Sequence, residues 1–83
     1  MNESLFIDTI PLCDIAVNER ATVSQVDSDG EMRQRFLDIG LTNGAEVVCV
    51  GQSPSGDPHA YLIRGAVIAI RKKDAKSILV TRK

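Results

Sequence analysis

The stretch Arg35-Phe36-Leu37-Asp38-Ile39-Gly40-Leu41-Thr42-Asn43-Gly44, with the apolar run Val47-Val48-Cys49-Val50 close behind it, sets the architecture of this chain. Met32, Phe36 and Ile39 recur at helical spacing, so a short helix ending near Ile39 has one apolar face, with Leu37 on its flank. Arg33, Gln34 and Arg35 face outward. Gly40 supplies the left-handed residue that closes such a helix, and Leu41 can then pack back on the last turn. Asn43-Gly44 is a tight-turn pair between apolar elements. It introduces a strand over residues 45–50. Upstream, Ser28-Asp29-Gly30-Glu31 fits a capping box, in which the Ser28 hydroxyl accepts from the Glu31 amide and the Glu31 carboxylate reaches back.

Outward from this centre the chain reads as short strands. Ala21-Thr22-Val23-Ser24-Gln25-Val26 is rich in β-branched residues, with Val23 and Val26 buried. Before it, residues 10–15 form an extended lead-in anchored by Leu12 and Ile15, and Asn18 suits a left-handed turn. Leu5-Phe6-Ile7 makes an extra edge strand. Residues 51–58 hold two prolines, two glycines and two serines, which is loop composition. Strands follow over 60–63 and 66–70, joined by a turn at Arg64-Gly65. One helical turn over 72–77 precedes a last strand over 78–80. The prediction is a mainly β fold: a small, partly open barrel of about five strands with one inserted short helix, which leaves few exposed edges. An N-terminal extension, residues 1–10, precedes a single domain, residues 11–83.

The bulk properties narrow the function. A chain of 83 residues buries only about 60–65% of its unfolded surface. One small core fits; a deep substrate cleft beside it does not. Hydrophobic residues make up 43% and charged residues 25%, ordinary for a globular domain. The net charge of −1 argues against general nucleic-acid binding, which needs a basic excess. Arg71, Lys72, Lys73, Lys76, Arg82 and Lys83 gather late and read as a solvated surface. The acidic start Met1-Asn2-Glu3-Ser4 is no signal peptide. No apolar stretch approaches the roughly 18 residues of a membrane span. The expectation is a cytoplasmic protein with reduced thiols, Cys49 being a small core residue.

Chemistry is sparse. His59 is the single histidine, and with Asp57 it offers at most a weak, exposed divalent site. A structural zinc centre wants four Cys or His ligands at short paired spacing. Cys13 or Cys49 with His59 lacks the third group and cleft of a nucleophilic site. No Gly-Lys-Ser/Thr follows the loop glycines, so there is no phosphate loop. Phe6, Phe36 and Tyr61 are the only aromatic residues. They can line neither a proline-rich-peptide groove nor a base-stacking platform.

Taken in order, the motifs resemble those of the FeoA family. Residues 35–44 resemble its helix-and-turn signature: a basic residue, apolar residues, Leu-Gly-Leu or Leu-Gly-Met, then a Pro-Gly turn. Ser53-Pro54-Ser55-Gly56-Asp57-Pro58 is similar to the family loop Ala-Pro-x-Gly-Asp-Pro. Gly65-Ala66-Val67-Ile68-Ala69-Ile70-Arg71 resembles its Gly-x-x-Ile-Ala-Leu-Arg strand, and Asp74-Ala75 with Ile78-Leu79-Val80 its closing turn and strand. Leu12 and Val23 match early apolar anchors. The resemblance covers residues 11–81. Asn43 stands in place of the usual proline and Asn18 in place of a common glycine, and the first ten residues extend beyond the usual start.

The resemblance implies an SH3-like barrel in the bacterial cytoplasm: a non-enzymatic accessory of ferrous iron uptake whose partner is FeoB, a membrane permease with a cytoplasmic G-protein domain. A similar domain ends iron-dependent repressors of the DtxR type, whose winged-helix part is missing here. Candidate partner contacts are Arg33, Arg35 and Asp38 on the helix, and Pro54 and Asp57 on the loop. Phe36, Gly40, Leu41, Gly44, Gly56, Pro58 and Arg71 read as structural, Arg71 as a barrel-rim cation. No cofactor is required, and neither nucleic acid nor membrane insertion is expected. The alternative is a metal-responsive domain holding iron or zinc through Asp57 and His59. A third reading is self-association, with Leu5-Phe6-Ile7 adding a strand to a neighbour.

Overall fold

A computed structural model of the chain describes residues 9–82. The expected edge strand at residues 5–7 lies outside them. Six antiparallel strands form one sheet: β1 (Ile10–Pro11), β2 (Arg20–Val26), β3 (Glu46–Gln52), β4 (His59–Ile63), β5 (Ala66–Ile70) and β6 (Ile78–Arg82). Helix α1 (Gly30–Asp38) connects β2 to β3, and helix α2 (Lys72–Ala75) connects β5 to β6. The strand order is β1-β6-β2-β3-β4-β5, so β1 and β5 are the two edges. About five strands were expected. The sixth, β1, is only two residues long and is created by pairing, Ile10 with Val80 and Pro11 with Leu79, so no propensity signals it.

Alternation along the strands sends one side chain in two inward. Ala21, Val23 and Val26 of β2, Val47 and Cys49 of β3, Tyr61 and Ile63 of β4 and Ile78 and Val80 of β6 are buried. A residue is inserted at Ser24 in β2, where the register steps from Val23 to Gln25, and at Val50 in β3, between Cys49 and Gly51. These bulges bend the sheet around its core. Gly51 is thus a strand residue at a bulge, not part of the loop that the composition suggested. A 3-10 turn, Leu12–Asp14, plugs one end with Leu12. The Tyr61 hydroxyl donates to the Leu12 carbonyl at 3.4 Å and lies 3.2 Å from His59 Nδ1, so its polar tip is satisfied inside the core.

The helix start differs from expectation. Asp29, not Ser28, is the N-cap, and no side chain bonds there. The Ser28 hydroxyl donates instead to the hydroxyl of Ser77, just before β6. A tertiary partner has taken the group that the local pattern assigned to the helix. The helix end is as read. Leu41 N–H bonds to Phe36 C=O at 2.9 Å and Gly40 N–H to Leu37 C=O at 3.0 Å, with Gly40 at φ 103°. This pair of bonds caps the carbonyls and turns Leu41, fully buried, into the core. Asn43-Gly44 then makes a turn closed by Ala45 N–H to Thr42 C=O at 2.9 Å. Gly44 lies at φ 90°, the position where a turn of this kind needs glycine.

Candidate docking surface

Three exposed features of the surface are candidate docking sites. The first is α1. Phe36 is buried, Met32 and Ile39 are half-buried against the core, and Arg33, Gln34, Arg35 and Asp38 are exposed. Two of the expected contacts are already engaged. Arg33 Nη1 donates to the Val26 carbonyl at 3.0 Å, and Asp38 accepts from Gln34 Nε2 at 2.8 Å, one helical turn away. Among the described residues the Arg35 side chain has no hydrogen-bond or ion-pair partner.

The second feature is the loop between β3 and β4. It is held by its own serines: Ser53 Oγ donates to the Asp57 carbonyl at 2.7 Å and Ser55 Oγ to the same oxygen at 3.1 Å. Gly56, at φ 89°, bonds through its N–H to the Ser53 carbonyl at 2.8 Å, and Ser53 N–H to the Pro58 carbonyl at 3.1 Å. Pro54 is exposed at the tip and Pro58 half-buried at the base. The Asp57 carboxylate reaches out of its own loop. Its Oδ1 accepts from the Lys72 N–H at 2.8 Å, fifteen residues on, and so pins the loop to the start of α2.

Asp57 and His59 have different partners, the Lys72 amide and the Tyr61 hydroxyl. Among the described residues no three His, Cys, Asp or Glu side chains are grouped to hold a metal ion. Both cysteines are buried and free. Burial pushes each thiol above its ordinary value, with Asp14 adding to the effect at Cys13. Burial likewise pushes the Tyr61 phenol well above its usual range. These groups stay neutral and are suited to packing, not to nucleophilic work.

The third feature was not predicted. A groove of about 290 Å³ runs between α1 and β5, with Met32, Phe36 and Ile39 on one wall and Ile68 and Ile70 on the other. Ala69, Arg35, Arg71 and Asp74 complete its lining. Arg71 was read as a rim cation. It is exposed, and among the described residues its guanidinium has no partner. Sequence offered one clue, the uncharged run Ala66-Val67-Ile68-Ala69-Ile70, but only strand order shows that this run is an edge.

Comparison with known proteins places the chain. The FeoA domain model matches residues 10–82. An NMR structure of a FeoA-like protein from Clostridium acetobutylicum superposes with a TM-score of 0.82 at 31% identity, covering 89% of this chain and 86% of that one. The FeoA of Stenotrophomonas maltophilia, described as an SH3 domain protein and crystallised with zinc, gives a TM-score of 0.76 at 23% identity over 87% and 93% of the two chains, a likeness of fold. The Fe(2+) transport protein A/Fe(2+) transporter FeoB fusion protein of Porphyromonas gingivalis is 29% identical over 69 residues, which are 83% of this chain. The chain spans only 8% of that relative's length. Among the described residues no helix is long and apolar enough to cross a membrane. The six-stranded antiparallel sheet with its Gly40-capped helix is an SH3-like fold, and this chain belongs to the FeoA domain family.

Proposed function

We propose that the chain is a non-enzymatic cytoplasmic accessory of bacterial ferrous iron uptake that docks on the cytoplasmic part of a FeoB-type transporter. One observation carries this reading: the relative in which a FeoA segment and a FeoB transporter are one polypeptide. Fusion holds two modules at high effective concentration, an arrangement that favours modules which touch. The docking surface is the outer face of α1, where Arg35 is free to meet a carboxylate, extended by the loop tip at Pro54. Arg33 and Asp38 hold that face in place, and Asp57 fixes the loop on α2. Iron is the transporter's cargo in this reading.

The test is binding of a FeoB-type cytoplasmic domain to the immobilised chain. Arg33→Glu with Arg35→Glu should weaken binding at least tenfold, in the range of interfacial charge changes. Asp57→Ala should cost about 1 kcal/mol of stability, as loss of a helix cap does. Full binding by the folded double variant would discard the helix face, and no binding by the unaltered chain would discard the adaptor reading. Direct ferrous or zinc binding seen by calorimetry, and lost in Asp57→Ala and His59→Ala, would favour the metal-responsive alternative.

A further inference from the structure

β5 is an edge strand in which every residue is apolar. Exposed edges are ordinarily blunted by lysine, proline or a bulge, and β5 carries none of these. Its backbone is ready to pair. The two-residue turn Arg64-Gly65, with φ 49° and 84°, makes Ile63 and Ala66 a hydrogen-bonded pair. Ala66, Ile68 and Ile70 therefore bond to β4, and Val67 and Ala69 turn their N–H and C=O groups to the open side. Both faces beside that edge are apolar. One is the groove walled by Ile68 and Ile70. The other is a row of directly paired residues, Val48, Leu62 and Val67, with Leu62 36% and Val67 65% exposed.

We propose that this edge takes residues 3–8 of a second copy of the chain as an added strand. An occupant must be apolar on both faces, because the groove lies on one side and the Val48–Leu62–Val67 row on the other. Leu5-Phe6-Ile7 is apolar at three consecutive positions, so it meets both. The charges also match. Glu3 and Asp8 bracket the apolar run, and the groove is lined by Arg35 and Arg71 against the single carboxylate of Asp74. The segment leads into β1, the edge opposite β5, so each copy carries the donor at one edge and the acceptor at the other. Reciprocal exchange closes such a contact into a two-fold dimer. Arg35 belongs to both this groove and the transporter-facing surface, so exchange and docking compete.

Light scattering of the full chain across a concentration series tests this. The unaltered chain should reach dimer mass. A donor variant, Leu5→Ser with Phe6→Ser and Ile7→Ser, should be monomeric. An acceptor variant, Val67→Pro, should also be monomeric. It removes an outward N–H and no bond to β4, and circular dichroism checks its fold. Arg71→Glu, which alters no backbone, should weaken association about tenfold. Mixing donor and acceptor variants should restore a one-to-one complex, since each supplies what the other lacks. A monomeric unaltered chain would overturn the proposal. So would a dimer unmoved by the donor or Arg71 variants, or a mixture that stays monomeric. Transporter binding is a separate readout, so failure here leaves the adaptor reading standing.

Discussion

Gly40→Ala tests the joint between helix, turn and sheet. Gly40 lies at φ 103°, and its N–H and that of Leu41 close the end of α1. Holding an alanine in left-handed backbone costs about 1–2 kcal/mol. A second cost comes from Arg64. A Cβ on Gly40 would stand 2.6 Å from Arg64 Cδ and 3.0 Å from its Nε. The arginine must move, giving up its bonds to the Gly40 carbonyl at 3.4 Å and the Thr42 hydroxyl at 3.1 Å. Losing these two bonds at an exposed side chain costs about 1–2 kcal/mol. The expected total is therefore about 2–4 kcal/mol, measured by urea unfolding. In an Arg64→Ala background the steric part vanishes, and Gly40→Ala should cost only the backbone share, about 1–2 kcal/mol. The coupling in this double-mutant cycle should be about 1–2 kcal/mol, within the range for touching residues. Equal costs in both backgrounds would refute the steric argument. A neutral Gly40→Ala would refute the capped turn itself.

Two further outcomes follow from the core. Leu41→Ala empties a fully buried site beneath the α1 terminus. It should cost about 3 kcal/mol, which for a domain of this size lowers Tm by roughly 12–24 °C in calorimetry. The two thiols give a pH dependence. Their folded-state values lie above the ordinary 9.0, so unfolded chains release these protons first. Their contribution is present below pH 9.0 and is lost as pH rises through the folded-state values. Tyr61, raised from 10.0, adds to the loss at higher pH. The urea midpoint should fall between pH 8 and pH 11; a flat midpoint would contradict the buried, neutral thiols.

Local features were legible wherever neighbours in sequence decide the conformation. Gly40 and Leu41 closed the helix as read, Asn18 took a left-handed turn at φ 76°, and Arg64-Gly65 joined two strands. Ser28 failed as a cap because Ser77, forty-nine residues away, holds its hydroxyl. Asp57 was read as a partner contact on the loop and a metal ligand, and its carboxylate accepts from the Lys72 amide. Both short polar side chains have distant partners that packing brought within reach.

The helix, its glycine stop, the turns, the apolar faces and the family were legible in the chain, because these depend on residue type at short spacing. Which strand stands at the edge is set by pairing across the sheet. β5 reads in sequence like any buried strand, since a run of Ala, Val and Ile carries no mark of how many neighbours it has. Strand order left one side of it unpaired and set it beside α1, and so brought Arg35 and Arg71, thirty-six residues apart, to one groove. Hydrogen-bonding valence along a strand is satisfied across space, and the chain's own succession of residues does not say by whom.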